Sequence, residues 1–229
     1  KESQNALEEL RLRDYVQAAF YKMSKAYSHF NRRASKAEKL SAIEGIIEKW
    51  ILLLSPIIPA TSEELYEALY YGRQKRFEFA STAEFPTPNE KMIDKEAEAS
   101  EDFTMKSIDD IRQLKELLER KGNKMKKATI ITASKAKAKE LRKIIEKSKS
   151  IEESAAATAD ENVKFFLQKN FYALKGMQSE KINEFQALNE AREFIESELG
   201  LNVEIEEEEK SPHEKKAKAM PGKPAIILE

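Results

Sequence analysis

Apolar side chains recur in this sequence at helical spacing, and that periodicity constrains the fold more than any other feature. Leu12, Val16, Ala19, Phe20, Met23, Tyr27 and Phe30 fall along one face of a 3.6-residue helix, which predicts a helix over about 4–33. A second stripe, Leu40, Ile43, Ile47, Trp50, Ile51 and Leu54, predicts a helix over 36–54. It should end before Ser55-Pro56, because proline disfavours a helical residue ahead of it. Trp50 shares its face with Ile43, Ile47 and Leu54 and is expected to be buried. Thr61-Ser62-Glu63-Glu64 has the T-x-x-E form of a capping box, so a short helix through Tyr70 should start there and close at Gly72. Only 6 Gly and 7 Pro occur in 229 residues, well below the usual share of about 12%. A turn-rich all-β protein is therefore disfavoured.

Residues 73–89 carry Phe77, Phe79, Phe85, Pro86 and Pro88, which suits an ordered connector whose aromatics dock on the helices. A long polar helix resumes near Glu90, with Ile93, Phe103, Ile108, Ile111, Leu114, Leu117 and Leu118, a possible break at 103–107, and a stop at Gly122. The pattern then changes. Ala128 to Thr132 is β-prone, Ser134 can cap a basic helix to about Lys147, and helices fit 160–174 and 180–199. Strands fit 201–205 and 224–228. The expected fold is mostly α: an antiparallel helical bundle over 1–122 followed by a small α/β domain over 123–229.

Charge is balanced overall, 40 Lys+Arg against 41 Asp+Glu, yet strongly segregated. Residues 121–149 hold eleven basic side chains against Glu140 and Glu146, a local net of +9, whereas Glu193 to Glu209 carries eight glutamates and no base. Such blocks can pair with each other or face apart, so that a polyanion meets only the basic one. With no Cys and only His29 and His213, disulfides, thiol catalysis and the common zinc sites are excluded, and no metal ligands are expected. The longest apolar run, Trp50 to Leu54, is far short of the roughly 18 residues of a membrane span, and the first residues lack signal-peptide character. No membrane association and an intracellular setting are expected.

No Gly-rich phosphate cradle, Ser/His/Asp elbow or H-E-x-x-H motif is present, and no catalytic residue is assigned. Lys22-Met23-Ser24-Lys25 does spell K-M-S-K, the loop with which class I aminoacyl-tRNA synthetases hold ATP phosphates. Met23 belongs to the apolar stripe of the first helix, so these lysines read as helix-surface charges rather than a phosphate loop.

Residues 47–70, IEKWILLLSPIIPATSEELYEALY, resemble the helical anticodon-binding bundle of class Ia synthetases at Leu52, Leu53, Pro56, Pro59, Glu63, Glu64 and Leu65. The chain departs at Ala60 and Tyr66, where that family commonly has His and Trp. Residues 211–226 resemble the tail of archaeal and eukaryotic-type leucyl-tRNA synthetases at Pro212, Lys216, Ala217, Ala219, Pro221, Lys223, Pro224, Ala225 and Ile226, with Ser211 in place of Asp. The resemblance extends over nearly the whole chain.

That resemblance implies a C-terminal tRNA-binding portion of an aminoacyl-tRNA ligase. The catalytic and editing domains, and with them ATP, Mg and leucine activation, would belong to the rest of the same parent chain, in the cytoplasm. The portion itself should bind no cofactor and be inactive alone. Its partner would be leucine tRNA, contacted at the tRNA body and the long variable arm. Phosphate contacts would come from Arg11, Arg13, Arg32 and Arg33 on the first helix and from Lys135, Lys137, Lys139, Arg142, Lys216, Lys218 and Lys223 in the second domain. The Lys216 to Ile226 segment, rich in Pro and small residues, is expected either to lie open against unpaired bases or to close the small sheet as a strand. A helical scaffold or protein-interaction module with no RNA role is the alternative that the segregated charge leaves open.

Overall fold

A computed structural model describes residues 1–71, 79–176 and 182–229. They form two compact units, residues 1–93 and 94–229.

In the first unit the opening apolar stripe does not run through one helix. α1 (Glu2–Glu8) ends before Leu10, which adopts a left-handed φ of 55°, rare for a residue with a Cβ. α2 (Leu12–Val16) then passes through a π-helical stretch, Gln17–Lys22, into α3 (Met23–Arg33). A π turn takes up extra residues, so the stripe changes phase: Tyr15 and Ala19 are buried, while Leu12 and Phe20, expected inside, are exposed. The Tyr15 hydroxyl donates to the Leu53 carbonyl at 2.6 Å, tying α2 to α4 (Lys36–Leu54). Burial pushes the Tyr15 phenol up to about 12.

α4 keeps its predicted bounds and starts at a capping box formed by Ser35 and Glu38. Trp50, expected to be buried, is half-buried, and its indole N–H donates to the Ala19 carbonyl at 3.0 Å. α5 (Pro59–Tyr70) begins with proline at its first position, where the missing N–H has no partner to lose. The capping box expected at Thr61 is therefore not used. Glu63 accepts the backbone N–H groups of Ala80 at 2.7 Å and Ser81 at 2.9 Å, which docks the connector, and the Ser81 side chain, together with these backbone bonds, holds the Glu63 carboxyl below the usual carboxylate range. Phe85 packs beside Ala6, Tyr15 and Ala19, and Ala80 joins Ile51, Leu52 and Tyr66 in a second apolar cluster. Phe79 is exposed. Gly72 and Phe77, expected to close α5 and to dock, lie outside the described residues.

In the second unit a three-stranded sheet has the order β2 (Asn202–Glu207), β1 (Lys127–Thr132), β3 (Ala225–Leu228), with β2 parallel and β3 antiparallel to β1. The central strand carries Ala128, Thr129, Ile130 and Ile131, all buried, the continuous burial expected of a strand covered on both faces. After β1 come α7 (Lys135–Lys147), α8 (Ile151–Ala156), α9 (Glu161–Gly176), α10 (Glu184–Glu190) and α11 (Arg192–Leu199). The helix expected over 180–199 is two helices that meet at Ala191, and its first two residues lie outside the described ones. α11 ends at Gly200, whose φ of 62° favours glycine. The short α8, with no sequence signal beyond a capping serine at Ser150, was not expected.

The long helix near 90–122 changes its allegiance. A 3₁₀ turn at Glu90–Met92 precedes the helix proper, Lys95–Glu119, which starts at an Asp94 cap and is the sixth in chain order, α6. No break occurs at 103–107: the helix is continuous, its Phe103, Thr104, Ser107 and Ile108 are buried, and the Thr104 and Ser107 hydroxyls satisfy themselves on the carbonyls of Ser100 and Phe103. Phe103, Ile108 and Ile111 pack with Leu188, Ile195 and Val203, and Lys115 donates to the Leu199 carbonyl at 2.7 Å, satisfying the end of α11. The units thus divide at 93/94, where the sequence reading placed a boundary at 122/123. An amphipathic stripe shows that a helix has a partner, but not which one.

Candidate nucleic-acid interface

Two faces of α7 have opposite characters. Ser134 caps the helix, its hydroxyl accepting the Lys137 N–H at 3.2 Å. Leu141 and Ile144 are buried against Val163, Phe166 and Leu167 of α9 and against Met220. On the outer side Lys135, Lys139 and Lys143 follow one another at four-residue intervals, all exposed, and Lys147 continues the series at the last turn. These four amines make no ion pair among the described residues. Lys143 and Lys147 were not in the expected set, although the same four-residue spacing from Lys135 and Lys139 points to them.

Lys137 differs from this row. It stands four residues before Leu141 and so shares the inward face. Its amine lies 3.0 Å from Glu208 Oε1 and donates to the Ala217 carbonyl at 3.0 Å, with the two side chains only 12% and 17% exposed. Glu208 also accepts the Ser134 N–H at 3.0 Å. A second contact between the basic and acidic blocks joins Lys127 to Glu204 at 2.8 Å across the parallel β1/β2 pair, and the Lys127 amine is raised above its ordinary value by this hydrogen bond. The blocks therefore pair at the sheet, while the outer lysines of α7 stay outside that pairing.

The tail is partly engaged in the sheet. Ala219, Met220, Pro224 and Ala225 are buried, Met220 and Lys223 bond each other through their backbones, and β3 pairs with β1. Of the two expectations for 216–226, the strand holds for Ala225 and Ile226, whose peptide groups in the ladder with β1 are not free to bond to bases, whereas Ala217, Lys218, Gly222 and Lys223 are exposed. Lys216 donates to the Ser211 carbonyl at 2.8 Å, whereas Lys218 and Lys223 are exposed. Arg142 is half-buried and lies near the Glu184 carboxylate. Glu184 Oε1 accepts the Gly222 N–H at 2.7 Å, and its Oε2 is buried without a partner. Burial pushes this carboxyl up to about 7, against the opposing effects of the Gly222 N–H and Arg142.

In the first unit Arg11 is paired with Glu9 at 2.7 Å and with Asp14. Arg13 and Arg32 are exposed and Arg33 is half-buried, the latter two in the last turn of α3, where cations complement the helix dipole. Lys22 of the K-M-S-K tetrad pairs with Glu2 at 2.6 Å, and the tetrad lies entirely in helical backbone. Among the described residues no group of three His, Cys, Asp or Glu could hold a metal, and no helix is long and apolar enough to cross a membrane.

Comparison with known proteins identifies the family. A family model described as the anticodon-binding domain of tRNA ligase matches residues 1–164, which includes the whole of α7. The leucine–tRNA ligase of Pyrococcus horikoshii is 34% identical over 100% of this chain and 24% of its own length. Those of Staphylothermus marinus and Aeropyrum pernix are 32% and 28% identical over 99% and 97% of the chain, again 24% of their own length. The chain thus spans about a quarter of the curated relatives it matches. With a matching family model over most of its length and archaeal relatives aligned end to end, the chain belongs to the anticodon-binding-domain family of tRNA ligases.

Proposed function

We propose that this chain is the tRNA-binding C-terminal portion of an archaeal-type leucine–tRNA ligase, and that the outer lysines of α7 hold the phosphates of a leucine tRNA. The longer protein would attach leucine to that tRNA in the cytoplasm, using ATP and Mg in catalytic and editing domains outside these 229 residues. One observation carries the reading. Lys135, Lys139, Lys143 and Lys147 form an exposed row without acidic partners among the described residues, while Glu204 and Glu208 of the acidic block pair with Lys127 and Lys137 instead. A row of unpaired amines attracts a polyanion and releases its counterions. Arg13, Arg32, Lys218 and Lys223 are exposed cations that can add contacts.

Fluorescence anisotropy with labelled leucine tRNA tests this. Binding should weaken steeply with salt, and Lys135→Glu/Lys139→Glu/Lys143→Glu should weaken it further without unfolding the chain. Absence of binding at low salt, or an affinity indifferent to those three reversals, would overturn the proposal.

A further inference from the structure

α9 carries a second feature that charge does not explain. Its inner face, Val163, Phe166, Leu167 and Phe171, is buried against α7 and its neighbours. The outer face should then be polar, yet Phe165 is 59% exposed and Tyr172 is 69% exposed. They stand seven residues apart, two helical turns or about 10.5 Å along the axis. Lys169 lies between them, its amine 4.2 Å from the Phe165 ring centre. The buried Phe171 meets Tyr172 edge-on at 5.4 Å, which fixes the orientation of the exposed ring. Aliphatic residues would bury apolar area just as well, so two flat rings with an amine between them select a ligand that is both flat and anionic.

We propose that Phe165 and Tyr172 are stacking platforms for two unpaired RNA bases, with Lys169 turning from the Phe165 ring to the phosphate that joins them. This rests on the tRNA-binding reading above and adds to it the class of nucleotide bound. Every base offers a π-face, so stacking tolerates sequence but requires a base free of its helix. The spacing places the rings under two separate bases, not on opposite faces of one. The site lies just past the residues matched by the family model, 1–164. The lysine row of α7, the helix packed on α9, supplies phosphate attraction that is indifferent to pairing.

The test uses the 229-residue chain with two probes, a single-stranded 12-mer RNA and a 12-base-pair RNA duplex. Phe165→Leu/Tyr172→Leu keeps apolar bulk but removes both rings, and circular dichroism with a thermal melt checks the fold. Affinity for the single strand should fall by about tenfold or more, while affinity for the duplex stays within about twofold. Lys135→Glu/Lys139→Glu should weaken both probes. As a separate readout, Phe165→Trp should show fluorescence quenched by the single strand and unchanged by the duplex. An equal effect on both RNAs, or an unquenched Trp at saturating single strand, would overturn the stacking site and leave the phosphate reading standing. Failure of both probes to bind the unaltered chain would overturn both, and burial of the rings against another protein would be the remaining use for this face.

Discussion

Lys137 Nζ and Glu208 Oε1 stand 3.0 Å apart across the end of the parallel strand pair, with most of both side chains withdrawn from water. The amine also reaches the Ala217 carbonyl and the carboxylate also holds the Ser134 N–H. The pair thus joins the start of α7, the end of β2 and the 3₁₀ stretch Glu214–Lys218. Breaking one partner leaves the other charge buried, at a cost of about 3 kcal/mol. Lys137→Ala should therefore lower the midpoint of urea unfolding, and Lys137→Met/Glu208→Gln should recover much of the loss, since Gln still accepts the Ser134 N–H. Lys139→Ala, on the outer face, should leave the midpoint nearly unchanged. A Lys137→Ala chain with full stability and weakened RNA binding would return this residue to the interface.

Glu184 predicts a pH dependence of opposite sign to that of an ordinary paired carboxylate. Its folded carboxyl is pushed up to about 7 by burial, against an ordinary 4.5. Between those values the folded state keeps a proton that the unfolded chain releases. Stability therefore falls as pH rises through this window and levels off above it. The contribution is roughly 3 kcal/mol across the window. Glu184→Gln retains an acceptor for the Gly222 N–H and removes the titration, so the variant should gain on the parent chain as pH increases from 5 to 8. Melting temperatures that track each other at all pH values would show the carboxyl titrating normally.

What sequence could and could not show follows from the range of each signal. Local rules worked where one element carried its own boundary: Pro56 follows the end of α4, and Ser134 caps α7. They failed where a distant group set the outcome. Thr61 and Glu64 looked like a local cap that α5, starting at Pro59, does not use, and the partners of the neighbouring Glu63 are Ala80 and Ser81, in a connector with no repeat to align it. Leu12 and Tyr15 stand three residues apart in α2, and nothing in residue type picks Tyr15 over Leu12 as the buried one. Lys137 was legible in principle: its position four residues before Leu141 places it on the buried face, and a lysine there requires an acid such as Glu208. The acidic block supplied several, without indicating which.

The tail gives a structural prediction, because its last residues take the strand, one of the two forms expected of this segment. β3 pairs with β1 from Ala128 to Ile131, and Ile227 and Ala225 are buried with Ile131 and Ala219. Deleting 225–229 removes these side chains and leaves one edge of β1 without its ladder. That should destabilise the second unit by at least about 4 kcal/mol. Hydrogen exchange should show the amides of β1 losing protection, and RNA affinity should fall for single-stranded and duplex probes alike. Retained protection in β1 together with a selective loss of binding to one RNA would mean that this segment reads bases after all.

The lysine row of α7 makes a prediction in slope rather than in affinity alone. Each phosphate neutralised releases condensed counterion, so log affinity falls with log salt by about 0.9 per contact on a duplex and about 0.7 on a single strand. Lys135, Lys139 and Lys143 are exposed on one side of the helix and none contributes to the packing of Leu141 or Ile144. Neutralising all three as Lys→Gln should thus shrink the slope for duplex RNA by about 2 to 3 while the melting temperature holds within a degree or two. Lys137→Gln offers the contrast, because its amine is committed to Glu208 and Ala217 in the free chain. It should lower the melting temperature and leave the slope where it was. If the triple variant keeps the parent slope, the phosphates lie elsewhere, and the exposed cations Arg13 and Arg32 on the first unit become the place to look.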